Sequence, residues 1–304
     1  SLIYPEMSIF EKNTFLKKFS NNLGLTFSEF LFNEEYHKYQ NVKLKDDSQF
    51  AEIIEAVKIN RPVLIVSGHI GPWEAVRALF KRNGIETAAV YRKSKNIFYQ
   101  PYHHNSIEAG GKPIFQVGRS GTTAMIKYLK QGGVVCMMID QAVSEGKYID
   151  FMGVPAKTSL AIASIAIKYN ALIIPAYALR KNENLVEIQI EPSVTLSNPS
   201  KIMRELNLSL ENIITKYPSQ WYWIHNRWKW KNWDYSDSPR IIKQIYEQPE
   251  ALEQTIASEG TVTAVSAQPL IIKSEEKTAK IRYFFIIILI GINKYGAKID
   301  YMKK

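Results

Sequence analysis

The stretch PVLIVSGHIGPWEAVRALF, residues 62–80, decides the fold and points to the chemistry. Its first six residues form a β-branched apolar run of the length of a fully covered strand, and Val76, Leu79 and Phe80 then recur with helical spacing. A buried strand that turns directly into a helix is a building block of layered α/β folds. His69 and Glu74 lie in the turn, five positions apart. Pro72 suits the first helical position because it has no N–H to leave unpaired, which makes Gly71 the expected cap and Glu74 the third helical residue. On one continuous helix, side chains five apart point roughly 140° away from each other. A bent entry loop instead lets the imidazole fold back on the carboxylate. A carboxylate that accepts from one ring nitrogen fixes the tautomer and frees the other nitrogen to take a proton. Glu74 is therefore the expected orienting group and His69 the expected base, although a Glu in the first turn of a helix also has a purely structural use.

Outward from this segment, further strands are expected over residues 87–91, 134–139, 171–179 and 185–190, and helices near 48–58, 122–130, 159–168 and 201–216. Phe15, Phe19, Leu23 and Phe27, with Leu16 and Phe30 beside them, predict an amphipathic N-terminal helix whose stripe packs on the core. Strands alternating with helices predict an α/β layered fold with a mostly parallel central sheet flanked by helices. A domain boundary is expected at residue 233. Beyond it, residues 234–304 read as a linker followed by a short basic and apolar segment.

The chain has 304 residues, 46% of them hydrophobic, which is enough for a substantial core. Its formal charge of +10 suits an acidic partner, whether nucleic acid, anionic lipid, a phosphorylated substrate or an acidic carrier protein. The single cysteine, Cys136, permits no internal disulfide and sits in an apolar run as a small buried hydrophobe. His37, His103, His104 and His225 lack ligand spacing to a Cys or to one another, so no metal is expected and these are read as loop and surface histidines. Ser67 precedes the motif without a G-x-S-x-G elbow and is read as structural. The longest apolar run, residues 283–292, is far short of the roughly 20 residues that span a bilayer.

Four blocks in order, SGHIGPWEAV (67–76), VYRKSKN (90–96), MMIDQAVSEGKYIDFMGVPAKTS (137–159) and PSQWYWIHNRWK (218–229), resemble the late acyltransferases of lipid A biosynthesis. The resemblance spans roughly residues 3–233. It implies transfer of an acyl chain from acyl carrier protein to a hydroxyl of a lipid A precursor at the cytoplasmic face of the inner membrane. It also implies a glycerolipid-acyltransferase-like fold, direct attack without an acyl-enzyme, no cofactor and no nucleic-acid partner. His69 and Glu74 match the family's His-four-carboxylate signature. Arg92 matches its second-block Arg, whose use is either to hold an acceptor phosphate or to polarise the thioester carbonyl. Asn96, Asp140 and Gly153 follow as substrate-binding candidates, Asp140 also because ligand loops leave the carboxyl ends of strands. Family members generally carry a hydrophobic anchor upstream, so a chain starting at Ser1 is expected to be a fragment, a trimmed form or one with an unusual start. Transfer to another glycolipid or a lysophospholipid, and a non-catalytic basic binding protein, are the alternatives. Arg77, Lys81 and Arg82 are the expected docking cations for an acidic donor. The tryptophans of residues 221–233, interleaved with His225, Arg227, Lys229 and Lys231, have two rival uses, stacking on single-stranded nucleic acid or sitting at a lipid interface beside phosphates; the resemblance favours the lipid interface, with partial burial the plain structural alternative for Trp221 and Trp223.

Overall fold

The computed structural model describes residues 3–33, 41–182 and 184–228, so the expected linker and tail lie outside the described residues. In chain order the elements are α1 (Ile9–Leu31), β1 (Val42–Leu44), α2 (Ser48–Lys58), β2 (Val63–Ser67), α3 (Glu74–Arg82), β3 (Thr87–Tyr91), α4 (Gln100–Gly110) and β4 (Ile114–Gln116). They continue with α5 (Arg119–Lys130), β5 (Val134–Met138), β6 (Lys147–Phe151), β7 (Val154–Thr158), α6 (Ala161–Tyr169), β8 (Leu172–Asn182), β9 (Leu185–Ile190) and α7 (Pro199–Lys216). Seven strands form one sheet in the order β1-β9-β8-β2-β5-β3-β4, parallel throughout except for the β8–β9 hairpin. This is the α/β layered fold with a mostly parallel central sheet that the alternation of patterns predicts.

The strand at the centre explains why its sequence is apolar at every position. All five residues of β2 are buried. Val63 and Ile65 pack with Phe50, Ile53, Val76, Leu79 and Phe80 of α2 and α3 on one face. Leu64 and Val66 pack with Met125, Leu129, Ile162 and Leu206 of α5, α6 and α7 on the other. A strand covered on both faces loses the polar alternation of a half-exposed one. The β6–β7 hairpin stands apart as a two-stranded antiparallel unit.

Helix α1 covers the motif loop. Its buried stripe is Phe19, Asn22, Thr26 and Phe30, so two of the four inward positions are polar and the stripe is rotated from the expected one. Asn22 and the neighbouring Glu29 hold the helix down by polar contacts as well as by burial. Asn22 donates to the Gln220 carbonyl at 3.4 Å, and Glu29 takes a two-pronged ion pair from Arg180. Phe27, one of the expected core positions, meets the edges of Trp73 and Tyr222 at ring separations of 6.2 and 6.1 Å.

Candidate active site

Two neighbouring parallel strands deliver the site. Ser67 pairs with Met138 at the ends of β2 and β5, and the Ile139 N–H donates to the Ser67 carbonyl at 3.0 Å. The two chains therefore leave the sheet side by side, and the residues two beyond that pair, His69 and Asp140, meet. His69 Nδ1 lies 2.7 Å from Asp140 Oδ1. Asp140 Oδ2 accepts from the His69 backbone N–H at 2.7 Å and from Trp221 Nε1 at 2.8 Å. Between the strands, Gly68 leaves no room for a side chain: a Cβ there would lie 2.7 Å from Leu210 and 3.3 Å from Asp140 Oδ2.

This arrangement sets the protonation of both groups. Burial disfavours the carboxylate, but the charge and hydrogen bond of His69, with the Trp221 and backbone donors, outweigh it and hold Asp140 down at about 2. For His69, burial favours the neutral ring, but the charge and hydrogen bond of Asp140 and the more remote charge of Glu74 prevail and raise it above its ordinary 6.5. With Asp140 ionised, the Nδ1 proton is fixed on the side of the carboxylate. Nε2 is then the basic nitrogen, and the His69 side chain keeps 20% exposure through which a hydroxyl can reach it.

The expected His69–Glu74 contact is not formed. Helix α3 starts at Glu74 itself with Trp73 as its cap, and Gly71, at φ +53°, lies in the loop before it. Glu74 turns along its own helix instead: Oε2 accepts from Arg77 Nη1 at 2.9 Å and from Asn33 at 3.5 Å. Arg77 is itself buried, and its two terminal nitrogens, Nη1 and Nη2, also donate to the carbonyls of Ile107, Thr87 and Gly111. The physical reason is reach: Arg77 is one helical turn from Glu74, and Asp140 already fills the place beside Nδ1. The same burial removes Arg77 from any docking surface, and Lys81 and Arg82 donate to the carbonyls of Ala109 and Val42.

The loop depends on glycine at position 71. Besides its positive φ, an added Cβ there would lie 2.3 Å from the Ala178 carbonyl oxygen. Its N–H donates to the Gln220 carbonyl at 2.9 Å, the Tyr222 N–H donates to the His69 carbonyl at 2.9 Å, and Ile70 bridges Trp221. The segment after α7 thus clamps the histidine loop. Gly71→Ala is expected to cost roughly 2 kcal/mol or more in unfolding free energy, because it adds backbone strain to a clash with main chain. Chemical denaturation at wild-type stability would contradict that.

A model of the bacterial lipid A biosynthesis acyltransferase family matches residues 1–230, a span that contains the whole of this arrangement. The chain belongs to that family. It is also similar to phosphatidylinositol mannoside acyltransferase of two strains of Mycobacterium tuberculosis, at 22% identity over 166 residues, which cover 53% of this chain and 52% of each relative. The chain thus spans about half the length of the curated relatives it matches.

The remaining candidates from the family blocks fall in different surroundings. Arg92 follows β3 at the same carboxyl edge of the sheet as His69, two strands away, which is about 10 Å at the usual strand spacing. It is exposed and has no hydrogen-bond or ion-pair partner among the described residues. Asn96 accepts from the backbone N–H groups of Phe98 and Tyr99 at 3.0 and 3.1 Å, as a turn-forming side chain does at a helix entry. Met152 and Gly153, both at positive φ, make the two-residue turn of the β6–β7 hairpin, which gives Gly153 a conformational purpose.

For Trp221 the favoured lipid interface is overturned. The residue is 1% exposed and donates to Asp140, so core burial, not a lipid interface, describes it. Trp223 is half-buried, with its Nε1 donating to the Pro218 carbonyl, while Trp230 and Trp233 lie outside the described residues. His225 is no free surface histidine: its Nε2 accepts from the Ala142 N–H at 2.8 Å and ties down the loop after Asp140. His103 and His104 lie on α4, with His103 packed against Phe30, Tyr91 and Tyr99. Cys136 is buried in the sheet, which pushes its thiol up to about 12 and leaves it unreactive at neutral pH.

Proposed function

We propose that this chain transfers a fatty acyl group from acyl carrier protein to a hydroxyl of a lipid A precursor at the cytoplasmic face of the inner membrane. The reading is carried by the 2.7 Å His69–Asp140 pair, set in a chain of the lipid A acyltransferase family. His69 Nε2 takes the proton of the acceptor hydroxyl as its oxygen attacks the thioester carbonyl carbon. Asp140 holds the ring and stabilises the imidazolium, and the buried Glu74 charge adds to that from further away. When the tetrahedral intermediate collapses, the C–S bond breaks and the imidazolium returns its proton to the departing thiolate. No covalent enzyme intermediate is needed, and the step leaves an ester and the free carrier thiol. In this reading Arg92 takes an acceptor phosphate or the developing oxyanion, a role supported by its exposure at the same edge of the sheet.

A second acceptor class is favoured by one observation: the relatives from Mycobacterium tuberculosis are named for a mannosylated phosphatidylinositol. The test is turnover by the full chain with acyl carrier protein thioesters of several lengths, offered a lipid A precursor, a phosphatidylinositol mannoside or a lysophospholipid. Mass spectrometry is expected to find one added acyl chain on the lipid A precursor. Product on the mannoside alone would select the second acceptor, and no product with any of the three would overturn acyl transfer. Acyl-coenzyme A used as well as the carrier thioester would remove the carrier protein as donor.

A further inference from the structure

The carboxyl ends of β3 and β4 build a second feature, of which the proposed reaction uses only Arg92. Between residues 87 and 139 the chain carries seven Lys or Arg and one carboxylate, Glu108. That carboxylate is at the far end of α4, beside Lys112 at 3.4 Å. Four of the cations, Arg92, Lys93, Lys95 and Arg119, gather where β3 and β4 leave the sheet. The strands are adjacent and parallel there, and the Val117 N–H donates to the Tyr91 carbonyl at 2.8 Å. All four are exposed, and none has an ion-pair partner among the described residues.

Large apolar side chains stand out of this basic ground. Ile97 is 75% exposed, Phe98 76% and Tyr102 59%, with Val117 at 47% beside them. Their exposure is not the result of a loose loop. Asn96 caps the turn, the Gln100 N–H donates to the Asn96 carbonyl at 2.9 Å, and Gln100 Oε1 accepts from the Ser94 N–H at 2.6 Å. A firmly built turn thus presents an isoleucine and a phenylalanine to solvent in a stretch rich in cations. Burying such groups in a lipid interface removes apolar area from water, while each cation near anionic headgroups adds attraction.

We infer that this surface, centred on Ile97 and Phe98 with Lys93, Lys95 and Arg119 around them, docks the protein on an anionic lipid bilayer. The inference rests on the proposed amphiphilic acceptor, because the patch lies at the same edge of the sheet as His69 and turns the base toward the membrane that holds such a substrate. An acidic carrier protein also seeks cations, but two neighbouring side chains three-quarters exposed suit insertion among headgroups better.

The full chain is titrated with phosphatidylethanolamine vesicles with and without phosphatidylglycerol, in the absence of substrate, and partitioning is read by co-sedimentation. Wild type is expected to bind only the vesicles containing phosphatidylglycerol. Lys93→Ala with Lys95→Ala weakens binding about 30-fold, at about 1 kcal/mol per charge near the surface. Ile97→Ser with Phe98→Ser weakens it by roughly tenfold or more. Turnover of both variants on detergent-dispersed acceptor stays near wild type. Two variants that bind as wild type does would overturn the inference. So would a lysine variant whose KM for the carrier thioester rises while its vesicle affinity is unchanged, since the patch would then serve the carrier. Binding is measured without turnover, so an inactive wild type that still binds vesicles would sink acyl transfer and leave the docking surface standing.

Discussion

Replacing Asp140 with Asn is expected to lower kcat/KM by on the order of 10⁴-fold while the protein stays folded. The size follows from the hydrogen bonds around the carboxylate. Oδ2 accepts from two N–H donors, the His69 backbone and Trp221 Nε1. An asparagine must therefore place its carbonyl oxygen at that position and its NH₂ beside the imidazole Nδ1. The amide then donates to Nδ1, the ring proton moves to Nε2, and the base presents a proton where it should accept one. The pH profile moves as well. His69 is raised above its ordinary value chiefly because the charge and hydrogen bond of Asp140 override burial, so wild-type kcat/KM rises with pH through an inflection above 6.5. Without that charge the inflection falls to lower pH, even as the plateau drops. Single-turnover rates from pH 5 to 9 measure both. A variant within tenfold of wild type, with its inflection unmoved, would remove Asp140 from the mechanism.

The second large effect is that of His69→Ala, expected to cost about 10² to 10⁴ in rate as the general base is lost. Its fold should survive, since the side chain is partly exposed and the loop is held through backbone bonds to Gln220 and Tyr222. The acid stability of this variant gives an independent check. Asp140 is depressed in the folded state to about 2, so its contribution to stability is complete above the unfolded carboxylate value near 3.9 and is lost as pH falls through about 2. Removing His69 takes away the largest group holding it down, and acid unfolding should begin at higher pH. A folded His69→Ala protein with near-normal turnover would end the assignment of the base.

Much of the scaffold was legible because its strands are buried on both faces. Continuous apolar runs located β2, β3, β5 and β8, apolar/polar alternation located the half-covered β9, and helical periodicity located α2, α5, α6 and α7, each within a few residues. The elements that escaped lack those signals. β1 and β4 have three residues each, α4, QPYHHNSIEAG, has only a weak apolar face, and β6 and β7 are five-residue strands with charged or polar residues between their apolar ones, expected only as a hydrophobic-Gly turn. Within the site, His69 and Asp140 were each recognisable, but not as partners. The five-residue spacing drew attention to Glu74, whereas the contact is made across 71 positions by strand register, which no local pattern encodes. Trp221 was hidden for the same reason, because its ring reaches Asp140 across 81 positions.

The central claim, that Asp140 and not Glu74 orients and charges the base, is tested most directly by following the His69 ring protons by NMR as pH is varied in wild type, Asp140→Asn and Glu74→Gln. The account predicts a wild-type titration above 6.5, a large fall in Asp140→Asn and a smaller fall in Glu74→Gln, whose charge acts on the ring without touching it. A wild-type value below 6.5, or a larger fall in Glu74→Gln than in Asp140→Asn, would contradict it.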